Sequence, residues 1–120
     1  AALLGEPRPV EAVDAEAPVE LQQARTQRWR VRAPARLSGF VCAPRLVLDD
    51  QEVLDAWGAR THWSHVLVRV DAPQSLEPGD VIQLTVRADL RRFPVVHVFE
   101  PAVLRASTVK PLGQIEVRLR

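Results

Sequence analysis

The chain has 120 residues and a mass of 13.4 kDa, room for one hydrophobic core and too little for two catalytic domains. With 47% hydrophobic residues, 26% charged residues and a net charge of +1, it matches neither a disordered tail nor a dedicated nucleic-acid binder, which carries a marked basic excess. No apolar run approaches the roughly 18 residues of a membrane span, and the single Cys42 excludes an internal disulfide or a multi-cysteine zinc site.

The opening Ala-Ala-Leu-Leu lacks a basic leader and an initiator Met, so no signal peptide is visible and the chain is expected to be part of something longer. One cysteine suits a reducing compartment, and a cytoplasmic location follows as an expectation. Residues 1–20 carry five acids and one Arg, whereas residues 21–40 carry five Arg and no acid. Pro18 is placed to open a short helical turn through Val19–Ala24. The first strand is predicted over Thr26–Ala33, with Trp29, Val31 and Ala33 on one face and Arg28, Arg30 and Arg32 on the other. Leu37–Cys42 and Arg45–Leu48 follow as strands, separated by Ala43-Pro44. Asp49-Asp50-Gln51-Glu52 resembles a capping box ahead of Val53, Leu54 and Trp57, which predicts one or two helical turns there.

Val66–Val70 and Val95–Phe99 are apolar at most positions of both faces and are expected to run centrally. Between them, Glu77-Pro78-Gly79-Asp80 is a turn signal, with Pro fixing φ and Gly free to take φ > 0. It leads into Val81–Ala88, where Ile82, Leu84, Val86 and Ala88 alternate with Gln83, Thr85 and Arg87. Ile115, Val117 and Leu119 oppose Glu116, Arg118 and Arg120 at the end of the chain. Ten scattered prolines break any long helix. The fold class is therefore all-β: a single antiparallel β-barrel or distorted sandwich of about seven to nine short strands, over residues 1–120.

Glycines stand only at 5, 39, 58, 79 and 113, so the chain holds no GxGxxG or Walker-type cradle for a nucleotide or dinucleotide, and no G-x-S-x-G elbow. The densest chemistry is Arg60-Thr61-His62-Trp63-Ser64-His65. A metal site would draw on His62, His65 and His97 with Asp55, but a strand places His62 and His65 on opposite faces, and no metal is expected. Cys42 reads as a small buried hydrophobe rather than a reactive thiol. Asp49, Asp50, Glu52 and Asp55 form either an acidic patch for a cationic partner or a solvated, capped turn. Arg28, Arg30 and Arg32 form either a solvated outer stripe or a contact for phosphate or an acidic neighbour.

Four pieces in order carry a family resemblance: Trp29-Arg30-Val31, then Leu37-Ser38-Gly39-Phe40-Val41, then Thr61-His62-Trp63 ahead of Val66–Val70, then Pro78-Gly79-Asp80-Val81-Ile82. This series resembles the C-terminal β-barrel of protein arginine N-methyltransferases, most clearly over residues 26–100. The resemblance implies a two-part enzyme in which a separate N-terminal Rossmann-like domain binds S-adenosylmethionine and grips the substrate guanidinium with two glutamates. The barrel would form the other wall of the active site, so the chain alone is expected to be inactive. His62 would be the loop histidine that pairs with an acid of the other domain and helps accommodate the departing proton. Thr61 and Trp63 would shape the loop, and Asp49, Asp50, Glu52 and Asp55 would attract an arginine-containing protein or peptide.

The family's helical dimerisation arm is not visible, which leaves a homodimer open. Ala43-Pro44 and Asp55-Ala56-Trp57-Gly58-Ala59-Arg60 depart from the family pattern and suggest a divergent, bacterial-type relative. The alternative is a stand-alone, non-enzymatic binding or scaffolding barrel. Neither reading expects a membrane or direct nucleic-acid partner.

Overall fold

The computed structural model describes residues 4–9, 21–42, 45–47, 53–55, 66–91 and 94–119. In chain order the strands are β1 (Gln22–Arg30), β2 (Ala35–Cys42), β3 (Arg45–Val47), β4 (Val53–Asp55), β5 (Val66–Leu76), β6 (Val81–Asp89), β7 (Val95–Arg105), β8 (Thr108–Pro111) and β9 (Ile115–Leu119). No helix occurs among the described residues, and the all-β expectation holds. The chain divides into two compact units, Ala1–Ser38 with Val70–Arg120, and Gly39–Arg69.

The first unit is organised by one antiparallel sheet in the order β1-β6-β7, with β8 and β9 both pairing β7. Among the described strands the sheet is open, with β1 along one edge. Alternation sets its faces. β6 buries Ile82, Leu84, Val86 and Ala88, the residues its period-2 pattern assigned inward. Trp29 of β1 pairs with Ile82, and Phe99 of β7 pairs with Val86, so one face gathers the core. Each fully buried Leu or Val there contributes roughly 1.5–3 kcal/mol relative to exposure. The opposite face is polar and cross-linked between strands. Arg28 Nε donates to Gln83 Oε1 at 2.9 Å, the Thr26 and Thr85 hydroxyls meet at 2.8 Å, and Arg87 Nε donates to Glu100 Oε1 at 2.6 Å.

β7 is central, as expected, and it runs six residues past Phe99, through a fully buried Pro101, whereas β5, expected to be central too, pairs only with β2 among the described strands. Proline offers no N–H to a ladder and belongs at edges or bulges. The partner strand accommodates it. Ala102 pairs with Pro111 and Phe99 with Ile115, so three residues, Leu112–Gln114, run beside the two residues Glu100 and Pro101. That one extra residue is a β-bulge separating β8 from β9. Gly113 takes φ 94° within it, and Leu112 N–H donates to the Pro101 carbonyl at 2.9 Å.

Both helical expectations are corrected where the residues are described. Gln22–Ala24 belong to β1, paired with Arg87–Asp89, because a long ladder with β6 outweighs their weak helical preference. Val53–Asp55 form β4, antiparallel to Arg45–Val47, so β-branched Val53 enters a hairpin rather than a capped turn. β1 also starts earlier and ends earlier than Thr26–Ala33, although Val31 extends the ladder by one step. Its N–H donates to the Asp80 carbonyl at 2.8 Å, and its own carbonyl accepts from Gly79 N–H at 2.9 Å.

Candidate functional site

In the second unit, the Thr61-His62-Trp63 stretch ends two residues before β5 in the sequence. Thr61, His62, Trp63, Asp49, Asp50 and Glu52 lie outside the described residues, as do Trp57 and His65. Asp55 is described as the last residue of β4, in register with Arg45, an acid and a base at paired positions of one hairpin. β2 pairs with β5 in a two-stranded sheet. Gly39 is where that pairing depends on the absence of a side chain. A Cβ there would overlap the Val68 carbonyl oxygen and stand 2.9 Å from Arg69 Cα. The glycine of the Leu-Ser-Gly-Phe strand is therefore a close-approach residue that sets how the start of β5 is held.

In the first unit, the turn between β5 and β6 is a knot of polar contacts. Asp80 N–H donates to the Glu77 carbonyl at 3.1 Å, and Gly79 takes φ 95°, as a type II turn with Pro78 leading requires. The Asp80 carboxylate is buried and accepts three bonds. Glu77 N–H reaches Oδ2 at 2.8 Å, Arg105 Nε reaches Oδ1 at 2.9 Å, and Arg105 Nη2 reaches Oδ2 at 2.7 Å. The bidentate Arg105 bond, helped by the Glu77 amide, holds the Asp80 carboxyl down to about 2. Beside this turn lies an open hollow of about 360 Å³ lined by Arg30, Val31, Arg32, Pro78 and Gly79. Arg30 and Arg32 thus belong to its rim, whereas Arg28 is engaged by Gln83 on the outer face.

A second contact in this unit had no local signal in the sequence. Residues 4–9 lie against β1. Trp29 Nε1 donates to the Glu6 carbonyl at 2.9 Å, Gln27 Nε2 donates to the Pro9 carbonyl at 2.7 Å, and the Arg8 guanidinium donates to the Arg28 carbonyl. Arg8 also stands 5.4 Å from the centroid of the Trp29 ring, within cation–π range, and pairs with Glu6 at 3.2 Å. Gly5 sits so near the indole that a Cβ would overlap Cδ1 and stand 3.0 Å from Nε1. Spacing gives no sign of this contact, because the partners lie about 20 residues apart in the chain.

The remaining candidates are placed simply. His97 is buried on β7, in register with Ala88 of β6 and Val117 of β9. Cys42, at the end of β2, is partly buried, and burial pushes its thiol up, so it stays protonated at neutral pH. Among the described residues, no three His, Cys, Asp or Glu side chains come together as metal ligands, and no helix is long and apolar enough to cross a membrane. No protein-family model matches the chain, and no curated protein matches it either.

Proposed function

We infer that the chain is the substrate-binding β-barrel domain of a S-adenosylmethionine-dependent protein arginine N-methyltransferase-like enzyme, contributing Thr61-His62-Trp63 to the active site. One observation supports this reading: the motif pieces follow one another in family order, three of them on or beside described strands. Trp29-Arg30 ends β1, Leu37–Val41 lies in β2, Thr61-His62-Trp63 stands just ahead of β5, and Pro78-Gly79-Asp80 turns into β6. The sequence carries no GxGxxG or Walker-type motif, and S-adenosylmethionine is assigned to a companion N-terminal domain in cis, which supplies the reactive methyl group. This chain's part is to orient an arginine-containing protein or peptide, since methyl transfer gains much of its rate from holding the guanidinium in line. His62 is its proposed catalytic residue, taking up or relaying a proton beside the guanidinium.

The test is made on the full-length polypeptide from its source. Its intact mass is expected to exceed 13.4 kDa by a domain of roughly 150 residues, and it is expected to methylate Arg-rich proteins. His62→Ala is expected to lower turnover by about 100-fold or more while the melting temperature stays close to the parent's. Parallel loss of turnover and melting temperature would sink the assignment of His62. A native mass near 13.4 kDa with no methyl transfer would move the function to the second reading, a stand-alone binding module. That second reading is favoured by the way Trp29 and Gln27 grip the main-chain carbonyls of Glu6 and Pro9.

A further inference from the structure

We propose that the Trp29–Gln27 face of β1 is a binding site for proline-flanked, arginine-containing extended chains, and that residues 5–9 are its occupant in cis. The chemistry begins with Glu6-Pro7-Arg8-Pro9. Pro7 and Pro9 fix their own φ, and each biases the residue before it away from helix, so the run is preset as an extended, polyproline-type segment. Such a segment has about three residues per turn, and the two carbonyls that are gripped, Glu6 and Pro9, are three residues apart. Their donors, Gln27 and Trp29, are two residues apart on a strand and so share one face. An indole N–H and a carboxamide N–H therefore read the repeat of a polyproline-type backbone, which is how aromatic-lined grooves take proline-rich peptides.

Main-chain carbonyls carry no sequence information, so selectivity has to come from side chains. Arg8 provides it twice, by its cation–π contact with Trp29 and by its bond to the Arg28 carbonyl. Gly5 provides it a third way, since any larger residue collides with the indole. The site thus prefers small-x-Pro-Arg-Pro over a proline run alone. Because ordering costs are low for a preset segment, a second chain of the same chemistry can compete for the face when the strap lifts. The inference stands on the geometry of the first unit and does not depend on the methyltransferase reading.

The experiment uses the whole chain and a synthetic peptide spanning Leu4–Pro9, with its Arg8→Ala analogue as control. Binding is read from the Trp29 indole N–H and the Gln27 carboxamide by NMR. A Gly5→Val/Arg8→Ala chain, whose strap is released, is expected to bind the peptide about tenfold more tightly than the unsubstituted chain, because cis occupancy lowers apparent affinity by the fraction of open sites. The analogue peptide is expected to bind the released chain several-fold more weakly, and Gln27→Ala in that chain is expected to weaken the peptide as well. Sheet amide dispersion checks that each variant is folded, and Trp29→Phe provides a second removal of the indole donor. Absence of shifts at Trp29 and Gln27 in the folded, released chain at about 1 mM peptide would overturn the proposal. Equal affinity for the peptide and its Arg8→Ala analogue would do the same.

Discussion

Replacing Gly39 by alanine is expected to force β2 away from β5 and to destabilise the chain by about 1–3 kcal/mol, with valine costing more. The collision is with main chain, the Val68 carbonyl oxygen and the Arg69 Cα, and neither can swing aside as a side-chain tip could. Relief requires β5 to shift, and a shift of a paired strand breaks hydrogen bonds along it. Gly79→Ala is the internal comparison. Its Cβ would meet no atom within 4 Å, so its cost comes only from φ 95°, a conformation that suits glycine. Hydrogen exchange separates the two mechanisms: Gly39→Ala should expose amides around Val68, whereas Gly79→Ala should loosen the turn before β6. Unchanged exchange near Val68 in the Gly39 variant would show that the close approach is not a constraint. Under the proposed function, the same substitution should also lower methyl transfer, since only two residues separate Thr61-His62-Trp63 from the start of β5 in the chain.

Asp80→Asn should lower the melting temperature at neutral pH by roughly 5 °C or more, and the deficit should vanish in acid. Asparagine retains the shape of the side chain but not the charge that accepts the bidentate Arg105 fork. The sign of the pH dependence follows from the depressed carboxyl. An unfolded aspartate titrates near 3.9, and the folded one near about 2, so the unfolded chain binds the proton first. The contribution of Asp80 is therefore complete above about pH 4 and lost as pH falls through about 2. Parent and variant melting curves should converge across that interval. A gap that stays constant down to pH 2 would show that the carboxylate charge does not hold the turn. Glu100, held below the ordinary range by its bond from Arg87, fades in the same direction, but its side chain is more open to solvent.

Where one mechanism dominated, the sequence was sufficient. Val81–Ala88 alternates without a break, and burial follows it residue by residue. The turn at Pro78-Gly79 is equally explicit, because only glycine takes that φ cheaply at the third turn position. Trp29 and Arg28 were assigned to opposite faces correctly for the same reason. The misses share a different cause. Gln22–Ala24 and Val53–Asp55 take their conformation from partners, β6 and β3, that no local preference names. The strand predicted over Val95–Phe99 runs on to Arg105 through a buried Pro101, because a bulge elsewhere in the chain accepts that proline. Of the candidate site, Asp55 is assigned to a strand end, while His62 and its neighbours lie outside the described residues. The grip of Trp29 on the segment before it could not be read from sequence, since nothing local marks an indole as a hydrogen-bond donor to a distant carbonyl.

The bulge opposite Pro101 also bears on self-association. A regular free strand is a template on which another chain can grow a sheet. Here, a visiting strand in step with Ile115–Leu119 would be one residue out of step with Thr108–Pro111, and a slip of one residue turns every side chain to the wrong face. Pro111 removes a donor at the same place. The β8–β9 margin can therefore satisfy its own central strand without offering a continuous register to anyone else's, which guards this side of the sheet against fibrillar growth.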